Sequence, residues 1–155
     1  MRTWGFNKCS NTLNPSDIYS PFLLDDSLLT VTNIYTNSRW RGGRAITGFT
    51  TGYCLFEAFV NPGSYFQVGL ANETTNLFLS NAYLGGSGIS FGITYNSSLS
   101  FYGLGFTLTR PITFSTYDGG YFMFACDFDR KELWISQNGV WDGGNPSTRS
   151  DPLIT

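Results

Sequence analysis

The stretch GGYFMFACDFDRKELWISQNGVWDGGNPST, residues 119–148, decides the fold. Its first part, Tyr121 to Phe128, has the length and aromatic content of a buried β-strand, and Glu132 to Gln137 alternates in polarity as a half-buried strand does. The polar residues between these strands predict a turn. Asn138 and Gly139 adopt positive φ at little cost, which predicts a second tight turn. The stretch therefore predicts an antiparallel hairpin followed by one further turn.

Short strand patterns recur along the rest of the chain, with Gly or Pro between most of them and no window of helical period. Such spacing is typical of an antiparallel β-sandwich. We therefore predict an all-β fold with little or no helix, in which residues 1–25 form an arm or lead-in strand and residues 26–155 form the sandwich. The predicted strands before the hairpin are Leu28 to Tyr35, Tyr53 to Val60, Tyr65 to Ala71, Gly88 to Tyr95, Leu99 to Tyr102 and Gly105 to Leu108.

Composition and charge limit the function. A chain of 155 residues is long enough to bury the core of one domain. Its 9 basic and 11 acidic residues leave no excess of positive charge for nucleic acid or an anionic membrane. No apolar segment approaches the ~20 residues of a membrane helix, and the N-terminus lacks the apolar run of a signal peptide. We expect a protein made in a cytoplasm that neither binds nucleic acid nor inserts into a membrane.

The three cysteines are odd in number and far apart, so they form neither a disulfide framework nor a zinc spacing. Cys54 and Cys126 fall inside strand patterns, and we expect both to be small, reduced core residues. The chain contains no histidine, which removes the commonest general base and most zinc sites. No catalytic residue, metal site or cofactor is predicted.

The dense acidic group, Asp127, Asp129 and Glu132, is the remaining candidate for chemistry. A glycosidase would need two carboxylates that face one cleft, and a calcium site would need more oxygen ligands than this group supplies. We expect the group to frame the hairpin turn, with Asp129 capping its own backbone. The chain is therefore not predicted to be an enzyme.

Aromatic residues at strand ends and in loops are the best candidates for recognition. Exposed Trp and Tyr side chains can anchor a protein partner or stack on a sugar ring, although each could instead cap an end of the core. Two arginines beside them could contact an anion at a loop rim or lie on a solvated edge. The predicted binding residues are Arg39, Trp40, Arg41, Tyr83, Tyr95, Tyr102, Tyr117 and Trp141.

The order of several motifs resembles that of the SPRY family over roughly residues 11 to 150. Asp127-Phe128-Asp129, Leu133-Trp134-Ile135 and Asn138-Gly139-Val140-Trp141 are similar to the signature hairpin of that family. Asn145-Pro146-Ser147-Thr148 is similar to a loop found in SPRY domains of bacteriophage and bacterial proteins. Upstream segments that match in the same order are residues 40–45, 51–57, 66–71 and 79–85.

This resemblance implies a noncatalytic β-sandwich of the concanavalin-like jelly-roll type that binds protein partners through loops at one end. It further implies a bacteriophage virion component, such as a head decoration, a fibre or a tail accessory, located at the virion surface. Its partners would be other virion proteins or a host surface receptor. The alternatives are a carbohydrate-binding, lectin-like module and an intracellular protein-interaction adaptor.

A SPRY domain continues beyond the Asn-Pro loop into further strands, whereas this sequence ends at Thr155. We therefore expect the sandwich to lack its final strands and to leave one edge open to pairing with another chain, in an oligomer or a larger assembly. The missing strand could come from Met1 to Ser10 or from a neighbouring subunit. Alternatively, the sequence is a fragment.

Overall fold

The described part of the chain is built from strands alone. The computed structural model describes residues 13–18, 22–24, 31–33, 43–45, 48–62, 66–75, 84, 90–95, 99–104, 111–114 and 119–155. This confirms the all-β prediction for these residues. The strands are β1 (Leu13–Ile18), β2 (Phe22–Leu24), β3 (Val31–Asn33), β4 (Gly43–Ala45), β5 (Tyr53–Val60), β6 (Phe66–Ala71), β7 (Ser90–Tyr95), β8 (Leu99–Leu104), β9 (Gly120–Asp127), β10 (Glu132–Gln137) and β11 (Val140–Trp141).

Two antiparallel sheets form the sandwich. The larger sheet has the strand order β11-β10-β9-β5, and the smaller one has the order β6-β7-β8. Two further pairs, β1 with β4 and β2 with β3, complete the described strands. The predicted strand Gly105 to Leu108 lies outside the described residues. Among the described residues, no helix is long and apolar enough to span a membrane.

The core lies between the two sheets, where alternate residues of β9 and β10 meet those of β7. Phe124 lies at its centre and is fully buried. Its ring stacks on Phe56 of β5, with 4.7 Å between the ring centroids, and meets the ring of Phe91 of β7 edge-on at 6.2 Å. Because aromatic pairs in these arrangements add to the gain from burial, this cluster joins the two sheets.

The register between β5 and β9 fixes which residues face the core. The two strands pair over eight residues, from Tyr53 opposite Asp127 to Val60 opposite Gly120. Directly opposite residues in an antiparallel pair point to the same side of the sheet. Phe56 therefore faces the core with Phe124, and the predicted strand Tyr53 to Val60 is confirmed.

Both predicted turns of the hairpin are present, but the first is capped by a different residue. Oδ1 of Asp127 accepts a hydrogen bond from the backbone N–H of Arg130 at 3.1 Å. Asp129 does not cap its own backbone as expected, because its Oδ1 accepts from the N–H of Gly52 at 3.0 Å. Asp129 thus ties the hairpin to the residues just before β5.

The two strand cysteines are cross-strand partners, Cys54 on β5 and Cys126 on β9, and both are buried. Cys126 is a free thiol, as expected, and burial raises the pKa of this thiol from 9.0 to about 12. The expectation that Cys54 is reduced is wrong. Cys54 is disulfide-bonded, and its partner lies outside the described residues.

The residues after the hairpin close the outer edge of β10. The N–H of Asp142 donates to the carbonyl of Ile135 at 2.9 Å. Leu133 donates to the carbonyl of Ile154 at 3.3 Å and accepts from the N–H of Leu153 at 2.7 Å. Leu153 and Ile154 are buried in the core. At this edge of the sheet, the expectation of an open strand that awaits another chain is therefore not met.

Candidate functional site

The side of the four-stranded sheet that points away from the core carries most of its polar and exposed aromatic residues. We call this side the outer face. Because cross-strand partners share a side, the register divides the outer face into rows that run across the strands. These rows are Tyr53, Asp127 and Glu132; Leu55, Ala125 and Trp134; Glu57, Met123, Ser136 and Trp141; and Phe59 with Tyr121.

Arg149 contacts all three residues of the first row, Tyr53, Asp127 and Glu132. Its guanidinium makes an ion pair with Asp127 and a second one with Glu132, in which Nη2 lies 3.1 Å from Oε2. The guanidinium carbon also lies 5.5 Å from the centroid of the Tyr53 ring. One cation thereby contacts three adjacent strands and compensates the charge of the fully buried Asp127 carboxylate.

The environment of Arg149 favours its charged form. Burial lowers the pKa of Arg149, but the hydrogen bond to Glu132 and the charges of Tyr53 and Asp127 outweigh that effect and raise the pKa above its ordinary value. The carboxylates of Asp127 and Glu132 are therefore engaged in holding a structural cation.

The loop after β11 covers the second row. Nε1 of Trp134 donates a hydrogen bond to the carbonyl of Ser150 at 2.9 Å, and the Trp134 side chain is only 1% exposed. Asn145 and Ser150 exchange backbone hydrogen bonds of 3.0 and 3.1 Å across the loop. Oδ1 of Asn145 accepts from the N–H of Ser147 at 2.9 Å. The Asn-Pro-Ser-Thr segment is thus an ordered cover, and the first two rows form the closed half of the outer face.

The opposite half is open. Phe59 and Tyr121 are 56% and 50% exposed, and their ring centroids lie 4.9 Å apart with the ring planes at 55°. Glu57, two residues before Phe59 on the same face, is exposed as well. Among the described residues, the Glu57 side chain has no hydrogen-bond or ion-pair partner. We call Glu57, Phe59, Tyr121 and the half-buried Met123 between them the open half of the outer face.

The Asn-Gly turn holds Tyr121 in place. Oδ1 of Asn138 accepts from the N–H of Tyr121 at 2.9 Å, and the N–H of Asn138 donates to the carbonyl of Tyr121 at 2.8 Å. Nδ2 of Asn138 donates to the carbonyl of Gly119 at 3.4 Å. Gly120, at φ 112°, lies directly under the Asn138 amide, where a Cβ would lie 2.8 Å from Cγ of Asn138. Both backbone polar groups of Tyr121, its N–H and its carbonyl, are therefore hydrogen-bonded to Asn138.

Trp141 is the predicted binding residue whose side-chain burial is described. It is half-buried and pairs with Ser136, so it lies on the outer face in the same row as Glu57. The Ser136 hydroxyl beside it is buried, and it has no hydrogen-bond partner in the part of the chain that the structure describes. Trp141 is separated from Glu57 by three strand spacings, roughly 14 Å at ordinary sheet geometry. It borders the open half without belonging to it.

The other predicted binding residues are not brought together by the described structure. Tyr95 ends β7, and Tyr102 lies inside β8 opposite Gly92, so both belong to the smaller sheet. Those that lie outside the described residues are Arg39, Trp40, Arg41, Tyr83 and Tyr117. Sequence reasoning missed Phe59 and Tyr121, because it searched loops and strand ends for recognition residues. The available signal was that both fall on the strand face opposite the core residues.

The described carboxylates form no metal-binding group. No group of three or more metal-ligating side chains that could hold an ion occurs in the described part of the chain. Asp142, which is buried, accepts hydrogen bonds from the N–H of Thr113 at 2.8 Å and from the Thr113 hydroxyl. Asp142 thereby attaches residues 111–114 to the edge of the larger sheet.

Comparison with known proteins assigns no family, since no protein-family model and no curated protein matches the chain. The resemblance to SPRY domains therefore stays a prediction from the sequence motifs.

Proposed function

We propose that the chain is a noncatalytic binding module that docks a protein partner through the open half of the outer face. The observation that supports this role is the exposed pair of Phe59 and Tyr121, 4.9 Å apart on a regular sheet. Large aromatic side chains contribute most to binding when a partner covers them, and they lose little conformational entropy because they have two rotatable bonds.

We further propose that this module is a component of a bacteriophage virion. This part of the proposal is supported by the motif resemblance of residues 127–148 alone. The partner would then be another virion protein or a host surface receptor, and the module would serve as a head decoration, a fibre or a tail accessory.

The geometry of the open half favours a protein partner over a glycan. A sugar ring stacks on a flat aromatic face, whereas the planes of Phe59 and Tyr121 meet at 55° and form a notch. The nearest side-chain amide, that of Asn138, already uses Oδ1 for the N–H of Tyr121 and Nδ2 for the carbonyl of Gly119. A projecting side chain of a protein fits the notch, whereas the Asn138 amide is already engaged and is not free for a sugar hydroxyl.

The experiment has two stages. A photoreactive phenylalanine analogue in place of Tyr121 first cross-links the partner, which is identified by mass spectrometry and purified. Its affinity is then compared for the wild-type chain and the Phe59→Ser/Tyr121→Ser double variant. We expect the double variant to bind about a hundredfold more weakly, since each anchor of this kind contributes more than about 1 kcal/mol.

The control is Val140→Ser, because Val140 is 68% exposed but lies on the edge strand outside the open half. Val140→Ser should bind like the wild type. Equal affinity of the double variant and the wild type would refute the docking surface. A glycan that binds the wild type and is lost in the double variant would favour the lectin-like alternative, and a partner that is not a virion or receptor protein would refute the virion role.

A further inference from the structure

Two aromatic residues and one acidic residue of the open half are neighbours on the sheet. The face of an aromatic ring carries negative potential and attracts a cation that lies within about 6 Å of its centroid. Since the centroids of Phe59 and Tyr121 are 4.9 Å apart, a cation in the notch between them lies within this range of both. Neither ring is more than half covered by the rest of the chain.

Glu57 lies within reach of the same notch. It precedes Phe59 by two residues on one face of β5, a separation of roughly 7 Å along a strand. It is also the diagonal neighbour of Tyr121 across the ladder, at roughly 7–8 Å between backbones. A long side chain that rests on the rings can therefore place its charge near the Glu57 carboxylate.

The closed half shows how the same ladder holds a cation. There Arg149 lies 5.5 Å from the centroid of the Tyr53 ring and pairs with Asp127, the residue opposite Tyr53. The open half repeats this combination of ring and carboxylate on the same two strands, with Glu57 in place of Asp127 as the acid. Among the described residues, no cation pairs with Glu57.

Docking without a cation would be unfavourable. A partner that covers Phe59 and Tyr121 also removes water from Glu57 in the neighbouring row. Burying an unpaired carboxylate is costly. We propose that the open half binds a Lys or Arg side chain of the protein partner, with the charged group on the two rings and paired with Glu57. This inference rests on the proposed function of the open half.

The test titrates N-acetyl-argininamide into the full chain and follows the protein by NMR. We expect chemical-shift changes at Glu57, Phe59 and Tyr121, with a dissociation constant on the order of millimolar. Glu57→Gln should weaken binding about three- to fivefold at low salt, the range for one exposed charge pair. The matched control is Glu73→Gln, which removes the same charge from an exposed turn after β6 and should bind like the wild type.

The inference is overturned if argininamide shifts none of the three residues, or if Glu57→Gln and Glu73→Gln bind it equally well. The identified partner separates this failure from that of the proposed function. A partner that requires Phe59 and Tyr121 but binds Glu57→Gln with unchanged affinity supports the docking surface and refutes the pairing of a partner Lys or Arg with Glu57. A partner that binds the Phe59→Ser/Tyr121→Ser variant as tightly as the wild type refutes the docking surface, and it also refutes the proposed binding of a Lys or Arg side chain there.

Discussion

Replacing Gly120 by alanine tests the turn that positions Tyr121. Gly120 has φ 112°, a conformation that costs a residue with a Cβ about 1–3 kcal/mol. The added Cβ would also lie 2.8 Å from Cγ of Asn138, so the Asn138 amide would have to move. That movement breaks its hydrogen bonds to Tyr121 and Gly119, each with a net contribution of about 1 kcal/mol. We expect Gly120→Ala to lower the free energy of unfolding by about 3–5 kcal/mol in total.

Gly139→Ala is the matched control. Gly139 also has a positive φ, 81°, but nothing lies within 4 Å of the position its Cβ would take. This variant therefore carries the backbone strain without the collision, and we expect it to lose only about 1 kcal/mol. The difference of at least about 2 kcal/mol between the two variants measures the contact with Asn138.

The assay is equilibrium unfolding in urea, with the melting temperature measured on the same samples. For a domain of this size, Gly120→Ala should lower the melting temperature by roughly 10 °C. Combining Gly120→Ala with Asn138→Ala should cost less than the sum of the two single changes, because the group that collides is then absent. Equal losses for the two glycine variants, or strictly additive losses with Asn138→Ala, would refute this reasoning.

Three further changes test the rest of the structure. Trp134→Phe removes the buried hydrogen bond to the loop and should lower the free energy of unfolding in urea by about 2 kcal/mol. Trp141→Phe, at a half-buried position, should lower it by less, and equal losses would contradict the claim that the loop covers Trp134. Because the pKa of the Cys126 thiol is raised from 9.0 to about 12, this thiol stays protonated in the fold at pH values at which the unfolded chain ionises. The free energy of unfolding should therefore be unaffected by this thiol below pH 9 and should fall between about pH 9 and 12. Cys126→Ala should flatten that pH dependence, and an unchanged pH dependence would contradict the burial of the thiol. Phe124→Leu should lower the free energy of unfolding, measured by thermal unfolding, by about 1–2 kcal/mol, whereas Phe59→Leu should leave it nearly unchanged. Equal losses at the two positions would contradict the difference in their burial.

The strands and turns of the larger sheet could be predicted because their signals are local. The alternation along β5 fixes which side of the strand faces the core, and the Asn138-Gly139 dipeptide fixes the turn after β10. Each of these features depends on residues that are close in sequence, so composition and periodicity suffice to find them.

The division of the outer face could not be predicted in this way. Trp134 and Phe59 both point away from the core, yet Trp134 is 1% exposed and Phe59 is 56% exposed. Periodicity assigns residues to a side of a strand but does not reveal whether a loop covers that side. Here the cover depends on Arg149, which reaches back 22 residues to Asp127. The disulfide of Cys54 also escaped prediction, because periodicity identifies Cys54 as a strand residue but carries no information about its oxidation state.

Hydroxyl-radical footprinting of the isolated chain tests the central claim, that the outer face is closed at one end and open at the other. Oxidation of each aromatic residue would be compared between the folded and the urea-unfolded chain. The account predicts that Phe59 and Tyr121, which are about half exposed, are still readily oxidised in the fold, while Trp134 and Phe124 are strongly protected. Protection of Phe59 and Tyr121 to the same degree as Trp134 would contradict it, because the surface proposed for the partner would already be covered.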